Sequence, residues 1–167
     1  LLLARLQVGS GEAQGAVTLM EGLLKQRPKL AAAQLLLAEA YRNLGRFDDA
    51  AAVFREQIKE SPDNATAYFM LGMTLRQKGA LPEARAAFVR AQELQPEDLV
   101  VTYQLVDLDI LDKDFAAAHQ RVGVHLQRLP GLAAAHFLDG RVFAAQKDWD
   151  RAEAAFDLGV QAEHVGV

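Results

Sequence analysis

The stretch Tyr68-Phe69-Met70-Leu71-Gly72-Met73-Thr74-Leu75-Arg76-Gln77-Lys78-Gly79, continued by Ala84, Phe88, Ala91 and Pro96, decides the fold. Tyr68, Leu71 and Leu75 recur at the spacing of a single apolar stripe on an α-helix. Gly79 permits the left-handed turn that ends such a helix. Ala84, Phe88 and Ala91 form a second stripe of the same period, and Pro96 stops it. Pro82 falls near the start of this second helix, where its missing N–H costs little. Two helices joined by a glycine turn make a hairpin, and its apolar side must be covered by something else.

The same signs recur in both directions along the chain. Pro28, Pro62, Pro96 and Pro130 lie 34 residues apart, as do Ala16, Ala50, Ala84, Ala118 and Ala152. Four residues beyond each alanine stands a bulky apolar residue: Met20, Phe54, Phe88, Val122 and Phe156. Gly11, Gly45 and Gly79 mark the turns, with Lys113 and Lys147 at that phase later. Within Ala31 to Asn43, Leu37, Ala38 and Tyr41 share one helical face, and Phe47, Ala50, Phe54 and Ile58 form the following stripe. The small Ala50 lets two backbones approach while Phe54 fills the space beside it. Asn64 and Asp98 are suited to cap the first helices of their units. A fixed period of this length is the signature of stacked repeats.

The pattern resembles the tetratricopeptide repeat (TPR): a large residue, then Leu-Gly and Tyr, then Ala-x3-Phe, then Pro. Its best copy is Tyr68, Leu71, Gly72, Leu75, Gly79, Ala84, Phe88, Ala91 and Pro96. The next is Leu37, Ala38, Tyr41, Gly45, Ala50, Phe54 and Pro62. The last two units depart from it. Asp109 and Asp139 stand at the usual tyrosine and leucine positions, Val122 replaces phenylalanine, and Val106 replaces the helix glycine. The resemblance implies an all-α fold, a right-handed superhelical solenoid of antiparallel helical hairpins. It also implies a single array over 1–167, with repeats at 1–28 (partial), 29–62, 63–96, 97–130 and 131–164.

In this family the first helices line a concave face that binds peptides. One inward position carries Leu1, Leu35, Phe69, Tyr103 and Phe137; one turn on come Arg5, Glu39, Met73, Asp107 and Arg141. The next inward position carries Val8, Arg42, Arg76, Ile110 and Ala144. The expected partner-binding set is Leu35, Glu39, Arg42, Phe69, Met73, Arg76, Tyr103, Asp107, Ile110, Phe137 and Arg141. An apolar ladder flanked by charges of both signs suits an amphipathic helix or an extended segment. The same large residues would serve equally as seals between adjacent first helices. Family members that clamp chaperone tails use inward Lys and Asn, and Leu35, Glu39, Thr66 and Met70 stand there instead. The clamp is not expected.

Composition excludes several other classes. The chain has 167 residues, no cysteine and a net charge of −4. That leaves no disulfide framework and no thiolate, and it argues against a nucleic-acid partner. No apolar run approaches the ~20 residues of a membrane span. No catalytic set, cofactor motif or metal site is expected. Gly9-Ser10-Gly11 has the look of a nucleophile or phosphate loop, but it falls in a turn between helices with no strand before it. The run from Asp107 to Asp114 lacks the glycine and glutamate of a calcium loop at Asp112 and Ala118. It is read as a solvated acidic turn. His119, His125, His136, Asp109 and Asp139 are expected to gather in a polar seam, hydrogen-bonded to one another rather than to an ion.

The expected function is a non-catalytic protein–protein interaction scaffold for a protein or peptide partner. Three rivals stand beside it: the TPR segment of a bacterial envelope or exopolysaccharide-export lipoprotein, the regulatory TPR region of a larger transferase, and a self-associating structural array. Six lysines beside twelve arginines, with abundant alanine, point to a GC-rich bacterial source. Without an initiator methionine, the sequence is expected to begin inside a longer protein, so the compartment stays open. A shortened first helix should leave apolar surface at that end. At the other, Glu153, Asp157 and Val160 replace Val17, Glu21, Leu24 and Ala51, Arg55, Ile58, as in a polar capping helix.

Overall fold

The computed structural model describes residues 1–9 and 11–165. Among the described residues ten α-helices follow in order: α1 (Leu2–Gly9), α2 (Ala13–Gln26), α3 (Ala31–Asn43), α4 (Phe47–Glu60), α5 (Ala65–Lys78), α6 (Leu81–Leu94), α7 (Leu99–Leu111), α8 (Phe115–Arg128), α9 (Ala133–Ala145) and α10 (Trp149–Val165). They divide into two compact units, Leu1–Leu94 and Gln95–Val167. In the first, α1/α2, α3/α4 and α5/α6 are hairpins; α2 lies against α3 and α4 against α5. In the second, α7/α8 and α9/α10 are hairpins, and α8 lies against α9. Among the described residues no strand occurs, and no helix is long and apolar enough to cross a membrane.

The sequence stripes are the buried faces. Leu37, Ala38 and Tyr41 on α3 are buried, as are Ala50 and Phe54 on α4. The turns follow the glycine phase: Gly11, Gly45 and Gly79 have φ of 84°, 70° and 84°. At the same phase Lys113 and Lys147 hold φ of 60° and 63°, a conformation that L side chains adopt at a cost. Both expected caps form. The Asn64 side chain accepts from the Ala67 N–H at 3.0 Å and the Asp98 side chain from the Val100 N–H at 2.8 Å. Asp114 does the same for α8, accepting from the Ala117 N–H at 3.1 Å.

One departure from the repeat pattern explains itself. A Cβ at Gly72 would lie 2.6 Å from the Phe88 ring, and one at Gly140 would lie 2.5 Å from Phe156. Glycine is required there because the ring occupies that space. In the hairpin between them both members change: Val106 and Val122 are each fully buried in one core cluster. The volume removed from phenylalanine is returned at the glycine position, so close packing is kept.

Candidate functional site

The inward residues are described unit by unit. In Leu1–Leu94, Leu35 is 43% exposed and Glu39 is exposed beside it. Arg42 is half-buried and its Nε donates to Gln77 Oε1 at 2.7 Å, joining α3 to α5. Phe69, Met73 and Arg76 on α5 are half-buried. The Phe69 ring leans back into its own hairpin, its centroid 5.8 Å from that of Phe88.

In Gln95–Val167 the face is more self-contained. Arg141 Nη2 donates to Asp107 Oδ1 at 2.6 Å, and its guanidinium lies 4.9 Å from the centre of the Tyr103 ring. Burial alone would lower the pKa of Arg141, but hydrogen bonds with Tyr103 and Asp107 more than offset that and raise it. Asp107 and Arg141 sit 34 residues apart, so this pair ties α7 to α9 at one register position. Tyr103 and Ile110 pack on the edge of the core cluster. Phe137 is half-buried over Gly159, where a Cβ would come within 2.8 Å of its ring. Rungs of the ladder therefore serve two ends: one edge of Phe69 and Phe137 fills the hairpin, and the other remains at the surface.

The expected histidine seam resolves into separate pairings. His119 Nδ1 lies 2.7 Å from Asp139 Oδ1, and its Nε2 lies 3.2 Å from Gln146 Oε1. His125 is buried, with Nε2 at 2.7 Å from the Thr102 hydroxyl. Burial first, and the nearby Arg128 second, lower its pKa, against an opposing pull from Asp98. His136 Nε2 faces the Pro130 carbonyl oxygen at 2.7 Å. Asp109 is buried rather than solvated, and it accepts from Arg121 Nε at 2.8 Å. That corrects the reading of an acidic turn: Asp109 is a core ion-pair member, Asp107 an inter-helix tie and Asp114 a cap. Among the described residues no three His, Asp or Glu groups converge as metal ligands. Ser10, the centre of the glycine–serine loop, lies outside the described residues.

Thr102 and Gln77, partners that hold these side chains, escaped the sequence reading. Periodicity ranks positions by apolarity, and a buried threonine or an exposed glutamine carries no such signal. The tie between Tyr41 and Glu21 escaped it as well: the hydroxyl of the buried Tyr41 donates to Glu21 Oε1 at 2.7 Å. Burial, then that hydrogen bond, push its pKa up to about 12.

A tetratricopeptide repeat model matches residues 1–65 and 40–98. The chain belongs to the tetratricopeptide repeat family. Among solved structures, this TPR chain is similar to MamA, at 20% identity over 98% of this chain and 95% of that one, with a TM-score of 0.75. It is similar to YrrB, described as a TPR protein with an unusual peptide-binding site, at 21% identity over 95% and 82% of the two chains, TM-score 0.65. A tetratricopeptide repeat protein from Parabacteroides merdae ATCC 43184 matches at 16% identity over 95% and 63%, TM-score 0.77. No curated protein sequence matches it. At these identities the likeness is one of fold. The TPR fold is a protein-interaction scaffold, as the sequence resemblance implies.

Proposed function

We propose that this TPR chain is a non-catalytic interaction module whose inward first-helix faces hold a peptide or partner helix. In the unit Leu1–Leu94 that face presents Leu35, Glu39, Arg42, Phe69, Met73 and Arg76; in Gln95–Val167, taken by itself, it presents Tyr103, Asp107, Ile110, Phe137 and Arg141. The observation that carries this reading is Leu35, which stays 43% exposed at a ladder position shared with half-buried aromatic residues. An aliphatic side chain kept in water is a ready anchor point for an apolar side chain of a partner. The charges refine the preference. Arg42 donates to the neutral Gln77 amide, whereas Arg141 is paired with the carboxylate of Asp107. A partner with an apolar anchor followed by a carboxylate fits Leu35 and Arg42. YrrB, which shares the fold, is described as having a peptide-binding site, and this lends the reading support.

The test compares capture of proteins from the native host by the wild-type chain, Leu35→Gln and Arg42→Gln. Both side chains reach solvent, so melting temperatures should hold while a specific partner is lost. Undiminished capture by both variants would move the interface off this face.

A further inference from the structure

Within the unit Gln95–Val167, a cavity of about 140 Å³ lies among the end of α8, the residues before α7 and the loop into α9. Glu97, Val124, His125, Arg128, Leu129 and Leu132 line it. The repeat register supplies a control inside the same chain, because two repeats earlier these positions hold Lys29, Glu56, Gln57, Glu60, Ser61 and Asn64. The polar framework is kept. Gln57 Nε2 donates to Gln34 Oε1 at 2.9 Å, and His125 Nε2 lies 2.7 Å from the Thr102 hydroxyl at the same phase. Lys29 pairs with Glu60 at 3.5 Å, and Arg128 pairs with Glu97 at 2.7 Å. The lining between them is changed: Glu56, Ser61 and Asn64 give way to Val124, Leu129 and Leu132. Val124 and Leu129 are 54% and 57% exposed, so neither is spent on the core. Asn64 caps α5, whereas Leu132 makes no side-chain cap for α9. Apolar surface is therefore built into one copy of a framework that is polar in another.

The hydrogen bonds of Thr102 fix what His125 offers. A threonine hydroxyl has one proton, and that of Thr102 donates to the Asp98 carbonyl oxygen at 3.3 Å. His125 Nε2 therefore carries the proton of the bond to Thr102, which leaves Nδ1 of the neutral ring as an acceptor. No donor among the described residues reaches that nitrogen. Burial favours this neutral form of the ring. Cavities of about 150 Å³ accept a benzene ring. Arg128 and Glu97 satisfy each other, so the lining offers an occupant no net charge. We propose that this pocket binds a small neutral aromatic molecule carrying one hydroxyl donor, its ring among Val124, Leu129 and Leu132 and its hydroxyl on His125 Nδ1. None of the residues assigned above to the partner-binding face lines this cavity, so the two sites are separate.

The full chain, labelled with nitrogen-15, is titrated with phenol and separately with toluene, and followed by NMR. Phenol should shift the amide signals of residues 124–132 saturably, and toluene should bind about fivefold more weakly for want of the hydrogen bond. Imidazole spectra should show an unprotonated His125 Nδ1 whose resonance phenol moves and toluene does not. The double variant Val124→Glu/Leu129→Ser carries the residues found two repeats earlier and should weaken phenol binding by about tenfold or more. Because both side chains are exposed, its melting temperature should hold. Equal affinity for phenol and toluene, equal binding by the variant, or no binding overturns the proposal. Tighter binding of N-acetyltyrosinamide than of phenol would assign the pocket to a tyrosine side chain of another protein and overturn it as well.

Discussion

Gly140 has no side chain because Phe156 stands where one would go, and the fourth hairpin shows the alternative solution in Val106 and Val122. Gly140→Val alone should cost about 1–3 kcal/mol by overpacking. Combined with Phe156→Val it should be less damaging than the sum of the two single changes, with a coupling of about 1 kcal/mol in urea unfolding. Strictly additive losses would show that the two positions do not share the space. His125 supplies a second residue-scale test. Its pKa is lowered in the fold below the ordinary 6.5, so the fold favours the neutral ring. The unfolded chain then binds more protons, and stability rises with pH in that window. The contribution of His125 is complete above pH 6.5, declines as pH falls through the lowered folded value, and levels off below it. Unfolding free energies at pH 7.5 and pH 5 should therefore differ more in the wild-type chain than in His125→Gln. Equal differences would refute the assignment.

Turns between paired helices are the element at which this chain strays furthest from its own rule. Gly11, Gly45 and Gly79 adopt positive φ without strain, but Lys113 and Lys147 are held at 60° and 63° by the same turn. The backbone geometry is set by the hairpin, since Asp114 N–H reaches the Asp109 carbonyl at 2.8 Å just as Ala80 N–H reaches Leu75 at 2.9 Å. Lys113→Gly and Lys147→Gly should each stabilise the protein by about 1 kcal/mol, the cost of a left-handed L residue. Differential scanning calorimetry reads the outcome directly, and a fall in melting temperature would mean that the lysines make compensating contacts. The helical hairpins were legible from the sequence, including the caps at Asn64 and Asp98. Their stripes, turns and stops are local and repeat in phase.

Across the whole molecule, each compact unit carries a core of its own: Phe54 and Phe88 in one, Val106, Val122 and Leu138 in the other. Fragments 1–94 and 95–167 are therefore each expected to keep a helical circular dichroism spectrum and a cooperative melt. A fragment that is unfolded at 25 °C would show that its core needs the rest of the chain. The sequence alone determined the repeat length, the hairpin unit and the family, because those depend on local helical preference and on a periodicity that each unit restates. Only the tertiary structure decided how the polar residues are spent. It split the histidine seam into separate pairs, buried Asp109 against Arg121, and drew Arg141 onto Asp107 and Tyr103. It also turned one edge of Phe69 and Phe137 into the hairpins while leaving Leu35 in water. Those outcomes depend on which side chains meet across helices far apart in sequence, and a 34-residue period fixes the phase of a residue but not the partner it finds.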